Sequence, residues 1–440
     1  MTSDRVVVIG DPHSVFVQAP VRYWRGMGVD AVILTARWNG PSTVGDGLPV
    51  FAAEILASVD TRRAADSLVP FLSVVNANSL AQDPDRVSRA LHTWGHTASP
   101  PTVTAPVYDA LLIAAAVDVL APVCVFGHEA FAYGLATSLC RVPRRTLFAW
   151  GADVLHYAAM SDVAHALVHQ ALHSVRFVLT NSASMEDALH ERFDLPRDHI
   201  ALISYGVDRE RFQPAVGESR ARMRAAYGIA PLAHVVMNIR RFRPHWGSTV
   251  AWRAMLAAAC RRPDVHLVLL GGSGSEADVA VALEEAQAHG VSGRVTAMGG
   301  DVPLDTVAEL MAVADVSLSM VDSLEPVSWS VLQAAACGHT VLVGEQPSYR
   351  AECARGLAIH LTDPHDAEGA TDAVLACLDD ADLRARTSAA NGDYLAAYHD
   401  QHDQMTRLLR IVAGRETAER LLHAGSQRGA PAAREAAAAR

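Results

Sequence analysis

"HVVMNIRRFRPHWGSTVAWRAMLAAACRRPDVHLVLLGGSGS", residues 234–275, reads as a strand, a helix and a second strand in immediate succession. "HVVMNIR" is an apolar run of strand length, "TVAWRAMLAAACR" carries a helical pattern that Ser248 is placed to cap, and "HLVLLGGSGS" is an apolar run closing on glycines. Strand, crossover helix and parallel strand make the βαβ unit of a doubly wound sheet. The chain opens with the same order: "RVVVIG" (5–10), the helical "VFVQAPVRYWRGMG" ended by Gly28, then "DAVILT" (30–35). It continues through "PVCVFGH" (122–128), "RTLFAWGAD" (145–153) and "VRFVLTNS" (175–182). After the restart at residue 234 come "RVTAMGG", "DVSLSM" and "TVLVGE", alternating with helical stretches. The pattern predicts an α/β protein built of two Rossmann-like halves.

At 440 residues the chain exceeds one ordinary core, and domains of roughly 200 residues each are expected. The restart divides it into a first domain over 1–208, a linker over 209–230, arginine-rich and punctuated by Gly206, Pro214 and Pro231 in and beside it, and a second domain over 231–390. Residues 391–414 have a helical pattern and are expected to pack back on the first domain. The Ala-, Arg- and Glu-rich end, 415–440, is expected to fray. Residues 60–118 read as helix and loop, broken at "TASPPTVTAP".

Composition removes several functions. A net charge of −11 argues against a nucleic-acid or anionic-membrane partner. No apolar run reaches the roughly 20 residues of a membrane span, and the chain opens on a strand without a basic leader, so a soluble cytoplasmic protein is expected. The six cysteines are scattered, with no Cys-x-x-Cys pair and no histidine cluster at ligand spacing, which points to reduced thiols and no metal. All 37 basic residues are arginines, so a bound anion must be met by guanidinium, backbone N–H or helix dipole.

Ligands of such sheets gather at the carboxyl ends of the strands. There the second half places Arg240, Arg241 and Arg243 in "NIRRFRPHWG", candidates to neutralise a leaving diphosphate. "LLGGSGSE" adds a glycine turn with Gly272, and "RVTAMGG" offers the backbone of Met298 and Gly299 to a flat base. In "EPVSWSVLQAAACG" (325–338), Ser328 is placed as N-cap of a helix beginning at Trp329, whose first N–H groups suit an anion. Glu325 can accept from sugar hydroxyls, and Gln333 can hold ribose hydroxyls through its amide. The first half presents Gly10, His13 and Ser14 in "IGDPHS", His128 in "FGHEAF", and Trp150 and Asp153 in "AWGADV". Taken singly, each stretch also reads as plain structure: a capped core helix, a solvated basic loop, a satisfied histidine, packing tryptophans.

Together they resemble glycosyltransferase family 4, the retaining, metal-independent nucleotide-sugar enzymes of the GT-B fold. The marks are "DPHSVFVQAPVRYWRGMGVDAVIL", "AWGADV" as in the family's Trp-Gly-Ser-Asp variant, "TNSASMEDAL", "ISYGVDRERFQP", "HLVLLGGSGS", "RVTAMGG" and "EPVSWSVLQAAACG", in family order. The resemblance implies two Rossmann-like doubly wound domains facing across a cleft, with the donor on the second and the acceptor on the first. It puts Glu325 on the donor sugar, the N–H groups from Ser328 through Trp329 to Ser330 on sugar and phosphate, and Arg240 or Arg241 on the diphosphate. Gln333 stands where the family's ribose-binding glutamate usually is, and Trp246 where it commonly has lysine, with Arg243 near enough to substitute. Trp150 replaces a histidine close to the donor sugar.

The function implied is transfer of a sugar, with retention, from a UDP- or GDP-linked donor to a small-molecule acceptor, with no metal or other cofactor and with the leaving phosphate helping to deprotonate the acceptor. A specialised-metabolite acceptor is one candidate, since Trp24, Trp38, Trp94 and Trp150 are available to wall a pocket. Rivals are a disaccharide synthase or phosphorylase of the same fold, and a non-catalytic protein that binds a nucleotide sugar. A pyridoxal-phosphate phosphorylase needs a lysine that this chain lacks. Donor base, acceptor and oligomeric state are left open.

Overall fold

A strand covered by helices on both faces must be apolar at every position rather than at alternate ones. Val6 to Ile9 obey this, fully buried, and Val265 to Leu269 are buried to 4% exposure or less with one polar exception, His266, whose Nε2 pairs with Thr296 Oγ1 at 2.8 Å. The computed structural model describes residues 4–36, 40–44, 47–53, 104–155, 157–159, 162–272, 274–322 and 327–438. The chain divides into two units: Met1–Tyr205 with Gln404–Arg440, and Gly206–Asp403. Trp38 and Trp94 lie outside the described residues.

In the first unit the chain runs β1 (Arg5–Ile9), α1 (Val15–Gly26), β2 (Asp30–Thr35), β3 (Thr43–Val44), β4 (Leu48–Ala52), α2 (Thr104–Leu120) and β5 (Cys124–His128). It continues through α3 (Ala132–Leu139), β6 (Arg145–Phe148), α4 (Ala152–Leu155), α5 (Asp162–Ser174), β7 (Phe177–Thr180), α6 (Ala183–Phe193) and β8 (Ile200–Leu202). The sheet order is β3-β4-β2-β1-β5-β6-β7-β8, parallel apart from the short β3–β4 ladder. Strand order reverses between β1 and β5, so the loops after these two strands part and leave a crevice at their carboxyl ends.

The second unit begins with α7 (Gly217–Ala226), β9 (His234–Asn238), α8 (Ser248–Arg261), β10 (Val265–Leu270), α9 (Glu276–Ala288), β11 (Val295–Met298) and α10 (Leu304–Val313). Then come β12 (Val316–Ser319), α11 (Trp329–Ala336), β13 (Thr340–Gly344), α12 (Pro347–Ala354), β14 (His360–Thr362), α13 (Ala367–Asp379) and α14 (Ala381–Tyr398). Its sheet is wholly parallel, ordered β11-β10-β9-β12-β13-β14, with the reversal between β9 and β12. The chain closes with α15 (Gln401–Ala413) and α16 (Arg415–Ala438).

Three boundaries differ from the reading of the sequence. The stretch 209–230 is part of the second unit, not a free linker. Its arginines are occupied there: Arg220 Nη2 donates to Asp315 Oδ1 at 2.7 Å, and the 4% exposed Arg224 donates to the carbonyls of Pro231 and Ala233. Return to the first unit begins at Gln404 rather than at 391. The end 415–440 does not fray from its start, because α16 buries Ala418 and Leu421 in the first unit. There, too, Trp24 Nε1 donates to the Met405 carbonyl at 3.0 Å.

Where the second unit begins, Gly206 has φ +67°, and a Cβ there would overlap the Gln401 backbone. Val207 N–H donates to the His399 carbonyl at 2.8 Å, so the segment is held backbone to backbone. Gly206→Ala is expected to lower thermal stability by about 1–3 kcal/mol, because strain and overlap act together. An unchanged melting temperature in calorimetry would contradict this packing.

Candidate functional site

In the second unit the carboxyl ends of β9 and β10 bring arginine and glycine together. Arg240, Arg241 and Arg243 follow β9, and their loop is fixed by one hydroxyl. Ser248 Oγ accepts from Arg243 N–H at 3.1 Å and donates to the Arg241 carbonyl at 3.1 Å. Gly247, not Ser248, is therefore the N-cap of α8, and the expected serine cap is spent on the arginine loop instead.

The glycine turn after β10 receives the arginines. Gly272 has φ +117° and Gly274 φ +75°, values that favour glycine. The space of a Cβ is filled at Gly272 by the Arg241 side chain, whose Cγ stands 2.8 Å away, and at Gly274 by Arg243 Nη2. Any larger residue would displace a guanidinium. The turn is tied to the end of β11: Gly271 N–H donates to the Met298 carbonyl and Gly272 N–H to the Gly300 carbonyl, both at 2.7 Å. The Met298 carbonyl is thus used within the sheet, while Gly299 is exposed beside Glu276.

Arg240 takes a different seat. Its Nη1 donates to Ser328 Oγ, which also pairs with Ser330 Oγ at 2.8 Å. Ser328 is the N-cap of α11, yet its side chain makes no cap hydrogen bond to the helix. The hydroxyl is drawn away to Arg240, which sets a cation against a helix N-terminus, an arrangement of donors that suits a multiply charged anion. Trp329 Nε1 donates to the Gly206 carbonyl at 2.6 Å, and Ser328 N–H reaches Tyr349 Oη. Gln333, a turn further, is 6% exposed. Glu325 lies outside the described residues.

The carboxyl ends in the first unit carry carboxyls and rings. A Cβ at Gly10 would stand 2.5 Å from Val17 Cγ2, so glycine lets α1 close on β1. His13 is exposed, its N–H held by Asp11 Oδ1, and Ser14 is the N-cap of α1 without a side-chain cap bond. His128 is buried with Nε2 3.1 Å from Tyr205 Oη, and burial pushes its pKa down to about 3. Trp150 is half-buried and stacks on Phe148 at 3.9 Å between ring centroids, with Phe16 at 4.5 Å.

Asp153, 1% exposed, is a staple. Its carboxylate accepts N–H bonds from Ala130, Trp150, Gly151 and Val154, joining the loops after β5 and β6. Burial raises its pKa against the pull of these donors. Glu129, which the sequence reading passed over, has φ +79° and accepts from Phe131 and Ala132 N–H at the start of α3. An acid just ahead of a helix was its only signal. Burial, then the nearby Asp153, pushes the Glu129 pKa up to about 7.

A raised carboxyl favours the neutral form in the fold. Its contribution to stability is present below the ordinary value of 4.5 and is lost as pH rises through about 7. Glu129→Gln is expected to flatten the fall in melting temperature across that window. A fall as steep as in the wild type would contradict the buried, neutral carboxyl.

Residues 219–392 match the family described as Glycosyl transferases group 1. The D-inositol 3-phosphate glycosyltransferase of Corynebacterium glutamicum (strain R) is 30% identical over 208 residues, 46% of this chain and 48% of that protein. That of Salinispora tropica is 28% identical over 256 residues, covering 55% and 51%. The chain thus spans about half the length of the curated relatives it matches. Among solved structures, the sucrose-phosphate synthase of Thermosynechococcus elongatus is similar with a TM-score of 0.65 at 15% identity, over 92% of this chain and 97% of that one. Anabaena HepE in complex with UDP and glucose is similar with a TM-score of 0.63 at 16% identity, over 92% and 98%. The chain has the fold these structures share: GT-B, two Rossmann-like domains each built on a parallel sheet.

Proposed function

We propose that the protein is a glycosyltransferase that moves a sugar from a nucleotide diphosphate donor to a small hydroxylated acceptor. The observation that carries this reading is the convergence of Arg240, Arg241, the glycines Gly271, Gly272 and Gly274 and the N-terminus of α11 at the carboxyl edge of the second sheet. Such an edge supplies guanidinium and N–H donors to charge that builds on a leaving diphosphate, without reorganisation at the moment of reaction. The same supply of cations makes a metal ion unnecessary for that charge. Similarity of residues 219–392 to the group 1 glycosyl transferases supports the reading.

The acceptor we infer is a polyhydroxylated ring, a class that includes cyclitols. Support comes from the name of the curated relatives, D-inositol 3-phosphate glycosyltransferase. Transfer with retention, the leaving phosphate helping to deprotonate the acceptor, and Glu325 on the donor sugar are part of the proposal and rest on the resemblance to family 4. Gln333 in place of a glutamate keeps a hydrogen-bonding amide and loses charge assistance, a difference of about 1 kcal/mol that an enzyme can absorb.

A thermal-shift panel of UDP-, GDP- and dTDP-sugars, followed by mass spectrometry of products with cyclitol acceptors, is the test. At least one donor is expected to raise the melting temperature and give a glycosylated product. Arg240→Ala with Arg241→Ala should lower transfer by about 100-fold or more with the fold intact by circular dichroism; activity within about twofold of wild type would remove both arginines from the mechanism. Glu325→Gln should abolish most transfer while leaving nucleotide binding in place, and a silent Glu325→Gln would count against the family resemblance at this loop.

A further inference from the structure

Trp246 stands where its ring meets Arg240. The guanidinium carbon of Arg240 lies 4.7 Å from the centroid of the Trp246 ring, within cation–π range. On its other side the same guanidinium donates to Ser328 Oγ at the start of α11. Trp246 is itself fixed: it ends the short 3-10 turn Pro244–Trp246, its N–H donates to the Arg243 carbonyl at 3.0 Å, and Gly247 N–H donates to Pro244 at 3.0 Å. The Ser248 hydroxyl then ties the turn back to Arg241 and Arg243.

We propose that Trp246 is a positioning residue: its indole face holds the Arg240 guanidinium against the N-terminus of α11, ready for the second phosphate of a nucleoside diphosphate. This rests on the donor reading proposed above. Stacking on a ring uses none of the N–H donors of arginine, so the indole can hold the cation in place without competing for its hydrogen bonds, the one to Ser328 among them. A long side chain that would otherwise sample many rotamers is held in one, and the ring keeps water from one face of the charge. Arg241 and Arg243 need no such partner, because their seats are the glycine gaps at 272 and 274.

The test uses the full chain and whichever of UDP, GDP and dTDP raises its melting temperature most, titrated calorimetrically. Trp246→Leu keeps an apolar side chain without a π face, and Trp246→Phe keeps a smaller ring. Affinity is expected to fall about 3- to 10-fold in Trp246→Leu and to stay within about threefold of wild type in Trp246→Phe. In an Arg240→Ala background, Trp246→Leu should add no further loss, since a residue that acts through Arg240 has nothing left to position. A purely structural role would give the same loss with and without Arg240, and that result, or equal affinities for the Leu and Phe variants, overturns the proposal. If none of the three diphosphates binds the wild type, the donor reading itself falls and this role falls with it; if one binds and Trp246→Leu is silent, only the role of Trp246 is lost.

Discussion

A guanidinium is a flat cation on a long stem, and in a chain without lysine every side-chain cation except a protonated histidine has that shape. Such a group is held by being laid on something. Three seats are visible at one edge of the second sheet: the glycine gaps at Gly272 and Gly274 under Arg241 and Arg243, and the Trp246 ring beside Arg240. The glycine turn is therefore shaped first for arginine. Its positive φ values, the Ser248 hydroxyl diverted from capping and the uncapped start of α11 follow from the same need to place cations without crowding.

The first unit solves a different problem at the same kind of edge. Its strand ends carry Asp153 and Glu129, acids whose oxygens are filled by backbone N–H groups, together with Trp150 stacked on Phe148 and the Phe16 ring tilted against it. A carboxylate with this many amide donors fixes loops. Asp153 in this way ties the loop after β5 to the loop after β6, on one side of the crevice. Half-buried rings and buried carboxyls leave a surface unlike the arginine edge of the second unit, consistent with separate tasks for the two.

The fold was legible because doubly covered strands must be apolar throughout, and runs such as "RVVVIG" and "HLVLL" have few other readings. The arginine edge was legible as well, since Arg240, Arg241 and Arg243 follow a strand directly. What the sequence hid was tertiary. Arg224 looks like a linker residue until Asp315, far along the chain, is seen beside it. Ser248 reads as a helix cap until the arginine loop competes for its hydroxyl. Asp153 looks available to a ligand until four amides close around it, and α16 looks like a tail until Ala418 and Leu421 are seen to be buried. Partners distant in sequence leave no local signal.

The role proposed for the arginine edge of the second unit is to seat the diphosphate of a nucleotide. Hydrogen exchange by mass spectrometry, with and without a saturating nucleoside diphosphate, tests it without knowledge of the acceptor. Exchange is expected to slow in three separate segments, 240–248, 271–276 and 328–333, with little change across 145–155. Protection confined to other segments, with these three unaffected while the nucleotide is bound, would contradict it.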